Sequence, residues 1–431
     1  MEPLLYTIMV TPLAANMFYT RRLEMATLVA SAIAFVATVL LYFCLPITGF
    51  FEITRLGWYF LISVSSVYFA SVAYSRSYLG SMHNRFSRDF YFLLLNLFAA
   101  SMFFTLLVDD LGLMWVGVEA TTVTTVLTVF LENTEAAAEA TWRYIVIVSA
   151  GITFAFISVI LVFYSLHTLR LGDSVEPSLV LALAVGIGLV GFGTKVGVFP
   201  MNTWLPDAHS EAPAPVSAMF SGVLLPVVLY VLYRLYLLDP LPEVFSAAAI
   251  VSMVVASIMM TSQTNFKRLL AYSTIENMNL ALLGLALNQP LGAAILVVAH
   301  AFGKSSGFYS SGLLQRVTGS KTIEAYGVHR LKYLPYSLLL STLCVTGAPP
   351  FATFVGEFLI LSSLVRFSLL GFGLVLFSLG VSFVSVNYHV TRMIFRGEGD
   401  LQKENRTMGL VSVVTSVVPL AMGVFLIWWL I

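Results

Sequence analysis

Four ionisable residues lie where an apolar chain should not hold them. Glu119 falls within Trp115-Val116-Gly117-Val118-Glu119-Ala120-Thr121-Thr122 and Lys195 within Gly193-Thr194-Lys195-Val196-Gly197. A second base and acid, Lys304 and Glu357, recur beside another interrupted stretch. A charge at the centre of a bilayer costs roughly 2.5–3.5 kcal/mol on insertion scales, so residues of this kind mark ion paths and proton relays, or pair with one another. An acid facing a base in a low-dielectric setting can be poised so that either gives up its proton when a neighbouring charge changes. The plainer alternative is a static ion pair that only fixes helix packing.

His300 and Lys304 are four residues apart and share one helix face. Imidazole titrates near neutrality, and Ser305 and Ser306 beside it could hold water; a lone membrane histidine can equally be a hydrogen-bonded packing residue. No second ligand follows at a spacing that suits a metal. The row Tyr272-Ser273-Thr274-Ile275-Glu276-Asn277-Met278-Asn279 adds Glu276, which reads either as interhelical glue or as part of a hydrated path. Lys267 and Arg268 are expected to mark a helix end, with a gating or relay role open to Lys267, and His389 is expected at an interface.

The elements that carry these groups follow from composition. With 59% hydrophobic residues, 10% charged residues and a mean hydropathy of +0.91, the chain reads as an all-α polytopic membrane protein and excludes a water-soluble core. A net charge of zero, with no basic or acidic tail, gives no footprint for nucleic acid. Cys44 and Cys344 lie far apart in apolar runs and supply no disulfide framework and no iron–sulfur ligand set. A span needs about 20 mostly apolar residues, and candidates fall near 3–19, 26–46, 58–79, 89–107, 111–131, 141–165, 178–200, 213–238, 243–262, 267–287, 290–314, 333–366, 367–395 and 407–431. About fourteen spans are therefore expected, the first a retained helix and not a signal peptide, because it has no basic leader and no small-residue cleavage site.

Basic residues set the sidedness. Of the 22 lysines and arginines, Arg55, Arg170, Arg234 and Arg366 fall on even-numbered loops and Lys195 and Lys304 inside spans; the rest, from Arg21, Arg22 and Arg85 to Lys403 and Arg406, lie on odd-numbered loops or the adjoining helix ends. The positive-inside rule then puts the odd loops in the cytoplasm and both termini outside. Spans seven and twelve are broken: Lys195 runs into Phe199-Pro200 through Leu205-Pro206, and Gly347-Ala348-Pro349-Pro350 precedes Glu357. Proline removes a backbone donor, and non-helical backbone at membrane depth is tolerated where it is buried or lines a wet cavity, as in inverted-repeat transporters. Ordinary proline kinks are the alternative.

These motifs resemble a known family. The runs from Gly193 to Pro213, Lys267 to Ser273, His300 to Lys304 and Phe354-Val355-Gly356-Glu357-Phe358 are similar to the antiporter-like subunits of respiratory complex I and of the Mrp cation/proton antiporters. The stretches Met114 to Thr122 and Ser273 to Asn277 resemble in particular the hydrogenase-4 F-type subunit of formate-hydrogenlyase-like, group 4 membrane-bound hydrogenase complexes. The resemblance implies N-terminal helices 1–3 in residues 1–88, two inverted five-helix bundles in 89–238 and 243–395, and a final helix in 407–431. It implies proton translocation through two half-channels, with Glu119 and Lys195 as the first coupling pair, His300 and Lys304 as a central axis and Glu357 as the exit. It further implies no cofactor in this chain, a prokaryotic plasma membrane, and as partners other membrane subunits, further antiporter-like subunits among them, and a peripheral redox arm with iron–sulfur centres and, in the hydrogenase branch, nickel–iron centres. The chain would then do no redox chemistry itself; sodium/proton exchange of the Mrp type is the other activity in the family. One position departs from complex I relatives, which often carry a lysine in span eight where this chain has Pro226, so the link between the half-channels needs another bridge.

Overall fold

The structure, a computed structural model, describes residues 2–19, 22–81, 87–171, 176–397, 399 and 401–430; Arg21 and Arg85, counted above among the odd-loop charges, lie outside the described residues. Its helices run α1 (Glu2–Ala15), α2 (Leu23–Leu41), α3 (Arg55–Tyr78), α4 (Arg88–Leu107), α5 (Leu111–Phe130), α6 (Glu135–Leu166), α7 (Leu179–Val196), α8 (Trp204–Glu211) and α9 (Ala214–Met219). They continue as α10 (Leu225–Tyr236), α11 (Pro242–Met260), α12 (Phe266–Ala286), α13 (Pro290–Thr318), α14 (Leu334–Val345), α15 (Ala352–Phe367), α16 (Leu369–Phe395) and α17 (Arg406–Leu430). Among the described residues there is no β-strand, only isolated bridges in the loops.

Local chemistry sets the ends. Thr54, Ser87, Asp110, Thr134, Ser178 and Ser368 each accept a hydrogen bond from the backbone N–H three residues on, satisfying donors that a helix start leaves free. Among the described residues, eleven helices are long and apolar enough to cross a membrane. The expectation of fourteen also requires the short α1, the polar α12, and α14 with α15 as halves of one broken span.

The charged loops sort onto two faces. Arg143 and Arg268 both reach Asp207, at 3.0 and 2.9 Å, Lys321 reaches Glu211 at 3.2 Å and Arg76 reaches Glu24 at 2.8 Å, all between odd-loop ends. On the other face Arg234 binds Asp109 at 2.5 Å and Glu52 at 3.5 Å, all three belonging to even-loop ends. α12 and α13 occupy the centre: α13 packs against α3, α9, α12, α14, α15 and α17, and nearly every side chain of α12 is buried. α6, α7, α16 and α17 turn exposed apolar side chains outward, as a lipid or subunit boundary requires.

Pro226 produces a local departure. Residues Phe220–Leu224 form a π-helical turn, closed by the N–H of Leu225 on Phe220 O, so the next carbonyl, Ser221 O, would look for a donor at residue 226. Proline has none. π-helical turns of this kind are commonly tied to functional positions, and here the free carbonyl faces α13.

Candidate functional site

In the first half, Lys195 ends α7 completely buried. Its Nζ donates to Val118 O at 2.7 Å, Thr121 Oγ1 at 2.6 Å and Thr122 Oγ1 at 2.8 Å, which uses all the donors of an ammonium group. Thr122 Oγ1 in turn donates to Glu119 Oε2 at 3.2 Å. The expected Glu119–Lys195 pairing is therefore made through a hydroxyl, and no ion pair joins the two among the described residues. Glu119 is only partly buried, on the edge of α5 where buried Val118, Thr121 and Thr122 give way to exposed Val116 and Val123. Its carboxylate thus spans the interior and the outer surface of the chain.

In the second half, Lys304 and His300 share the buried face of α13 but bond outward to different helices. Lys304 Nζ donates to Leu270 O of α12 at 2.9 Å, and His300 Nε2 lies 3.1 Å from Ser221 O, the carbonyl that Pro226 leaves free. Because a carbonyl only accepts, Nε2 carries a proton; Nδ1 has no protein partner. Ser305 and Ser306, expected as water holders, donate to Ala218 O and Ser412 O. Glu276 and Glu357 are buried, each with an unpartnered Oε1. Lys267, expected at a helix end, is 2% exposed and donates to Ala212 O at 2.8 Å, while Arg268 next to it reaches outward to Asp207.

The two helix breaks share one build. Gly197 (φ 96°) and Gly347 (φ 66°) end α7 and α14 in the left-handed region, and a cis proline, Pro200 or Pro350, follows three residues later. In each, the residue after the glycine donates five positions back, Val198 to Gly193 O and Ala348 to Leu343 O, and the residue after the proline donates three back, Met201 to Val198 O and Phe351 to Ala348 O. Pro206, expected to break span seven a second time, sits instead in the first turn of α8, where a missing N–H costs little. Pro349 lies in the second break with Pro350. α12 ties both breaks together: Asn279 donates to Gly197 O at 3.2 Å and Asn277 to Val345 O at 3.1 Å, so this part of the polar row acts as interhelical glue. A Cβ at Gly347 would overlap the Glu357 carboxylate, which packs directly on the second break.

Sequence reasoning missed Thr121 and Thr122, whose signal was their position two and three residues after Glu119, and His209, completely buried in α8. It placed His389 at an interface; the side chain is partly buried, with Nδ1 unpartnered. Among the described residues, no group of three or more His, Cys, Asp or Glu side chains is placed to hold a metal ion.

The comparisons with known proteins agree with this architecture. The family described as NADH:quinone oxidoreductase/Mrp antiporter, TM, matches residues 108–384, which include both breaks. A protein described as a hydrogenase-4 component F homolog, from Methylacidiphilum infernorum (isolate V4), is 30% identical over 366 residues, 77% of this chain and 76% of its own. The fold is similar to that of a chain in the membrane-bound sulfane sulfur reductase, an archaeal respiratory membrane complex (TM-score 0.90, 21% identity, 99% of this chain and 95% of that one). It is also similar to a chain of respiratory complex I from Thermus thermophilus (TM-score 0.86, 22% identity, 97% and 96%). Matched over most of its length, and carrying buried Lys195, Lys304, Glu276 and Glu357, this chain belongs to the NADH:quinone oxidoreductase/Mrp antiporter family of multi-pass membrane subunits and is an antiporter-like subunit of that type.

Proposed function

We propose that this chain moves protons across a prokaryotic plasma membrane as the cofactor-free subunit of a membrane oxidoreductase complex, with both termini outside. The reading assigns inverted repeats to residues 89–238 and 243–395, flanked by 1–88 and 407–431. Lys195 and Glu119 would form the first exchange pair, His300 and Lys304 the central axis, and Glu357 the exit, with Glu276 and Lys267 as flanking carriers. The partners would be further antiporter-like subunits and a peripheral arm bearing iron–sulfur and nickel–iron centres, as in formate-hydrogenlyase-like complexes.

The observation that carries this reading is the chain Lys195 Nζ to Thr122 Oγ1 to Glu119 Oε2. A hydroxyl placed this way takes a proton from the ammonium while passing its own to the carboxylate, so charge is exchanged without either ion moving. Because the carboxylate reaches the outer surface, a neighbouring subunit that changes the charge beside Glu119 would shift the equilibrium. Moving one charge against 100 mV takes about 2.3 kcal/mol, and shifting a charged neighbour by a few ångström at low effective dielectric changes an interaction by that order.

Redox-driven proton uptake by the complex in proteoliposomes, with Glu119→Gln and with Lys195→Ala, tests the assignment. Both variants are expected to lower the number of protons moved per electron, and unchanged stoichiometry in both rejects it. The unpartnered oxygens of Ser273, Glu276, Asn277 and Glu357 are also acceptors that would suit Na⁺. A dependence of transport on Na⁺ at clamped pH would mark exchange of the Mrp type instead.

A further inference from the structure

In the path described so far Lys267 stands at the odd-loop end of α12, and among the described residues no hydrogen-bonded side chain joins it to Lys304. His209 occupies that gap. Its ring is completely buried, stacked on Phe308 at 5.1 Å and 24° and edge-on to Phe220 at 5.7 Å. Phe308 lies one turn beyond Lys304 on α13, and Phe220 opens the π-helical turn whose next carbonyl receives His300. The charged groups acting on the ring from the packed helices are Lys304 of α13 and Lys267 of α12.

α8 divides its side chains between two environments. Asp207 and Glu211, four residues apart, face outward into ion pairs with Arg143, Arg268 and Lys321, all partly exposed. His209 points the other way, into the interior. Lys267, itself buried, has its Nζ held by Ala212 O just past the end of α8.

Neither ring nitrogen of His209 has a hydrogen-bond partner, although the ring is sealed from solvent. Buried polar atoms are otherwise nearly always satisfied, and the buried ring of His300 is anchored through one nitrogen. A ring with both nitrogens free has no hydrogen bond that fixes its tautomer or that a half turn about χ2 would break.

We propose that His209 is the proton relay by which the second half of the chain communicates with the odd-loop face, receiving from the Lys267 side and delivering to Lys304. One nitrogen binds the incoming proton and the other releases its own to the neutral amine of Lys304, so the imidazole ends neutral with its N–H on the opposite nitrogen. The half turn restores the starting tautomer. The inference rests on the proton-path reading above and adds an entry residue which that reading does not contain.

The test uses the full chain in its complex, reconstituted in liposomes with an internal pH dye and a potassium diffusion potential to drive proton flux. His209→Asn and His209→Ala are expected to lower the flux at least about a hundredfold, the lower end of what a positioned proton carrier contributes. Added imidazole is expected to restore flux to His209→Ala, and 1-methylimidazole, which fills the same space but lacks a second exchangeable nitrogen, is not. Undiminished flux in His209→Asn, in preparations where Lys304→Ala abolishes it, overturns the relay and leaves the path intact. Equal recovery with both imidazoles overturns it too, since the ring would then be a space filler. Undiminished flux in His209→Asn and Lys304→Ala alike overturns the proton path itself and the relay with it. Should His209→Ala fail to assemble, His209→Asn carries the decision alone.

Discussion

Lys195 and Glu119 are joined by the hydroxyl of Thr122, which accepts from Nζ at 2.8 Å and donates to Oε2 at 3.2 Å. Because Thr122 sits three residues after Glu119 on α5, the helix itself holds acceptor and relay in register. Thr122→Val keeps the shape and removes the hydroxyl, a loss of about 1.5–3 kcal/mol for a hydrogen bond to a charged group. Proton uptake per electron in proteoliposomes is expected to fall in Thr122→Val and to stay near wild type in Thr122→Ser. Equal pumping in the two variants would remove the hydroxyl from the path.

Gly347 is expected to be the least tolerant glycine of the second break. Its φ of 66° costs a side-chain-bearing residue about 1–2 kcal/mol, and a Cβ there would also displace the Glu357 carboxylate. Gly347→Ala should therefore lower the melting temperature in detergent. Gly380→Ala, in mid-helix with nothing within 4 Å of the added carbon, should leave it unchanged or raise it. A Gly347→Ala protein as stable as the Gly380→Ala protein would contradict the packing described.

The even-loop face carries a pH signature. Burial pushes the Glu52 carboxyl above its ordinary 4.5, Arg234 opposes this and Asp109 adds to it. An acid that holds its proton more tightly folded than unfolded favours the folded state at low pH, and that contribution disappears as pH rises through the folded value. Glu52→Gln should therefore melt higher than wild type at pH 8, with the difference closing toward pH 4.5. A difference of the opposite sign would mean that the attraction to Arg234 outweighs burial. Arg234→Gln leaves Asp109 and Glu52 without their shared cation, and breaking a buried pair in this way costs about 3–5 kcal/mol, so it should melt well below wild type at pH 8.

Pro226→Ala supplies the N–H that Ser221 O lacks. The π-helical turn can then close on itself, in competition with His300 Nε2. A cryo-EM structure of the variant is expected to show His300 released from Ser221 O, and proton flux should fall with it. Retention of that contact in the variant would show that the proline does not set the histidine's position.

Much of this was legible in the residues. Apolar runs and the odd-even split of basic residues located most helices and both faces, because lipid imposes length and the loops impose charge. Gly197-Val198-Phe199-Pro200 and Gly347-Ala348-Pro349-Pro350 announced the two breaks, since a left-handed residue and a missing donor end a helix whatever surrounds them. The site was legible only as residue types. Nothing in spacing says that Thr122 intervenes between Glu119 and Lys195, that Lys267 is sealed inside, or that Asn277 and Asn279 reach opposite breaks, because these depend on which helices become neighbours. Pro226 read as a missing lysine, and its effect on the carbonyl of Ser221 needed the π-helical turn to be seen.

α12 is surrounded by its neighbours along nearly its whole length, and it carries Lys267, Glu276, Asn277 and Asn279. It is absent from the helices apolar enough to cross a membrane by themselves. During synthesis a segment of this polarity gains little by leaving the translocon for lipid, where its amides and ions would have no partners. It has to wait at the translocon until α13 emerges to pair with it. In a nascent chain halted just after α12 that helix should still crosslink to the translocon, and in one halted after α13 it should not, so the maturation of this protein turns on the arrival of a single helix.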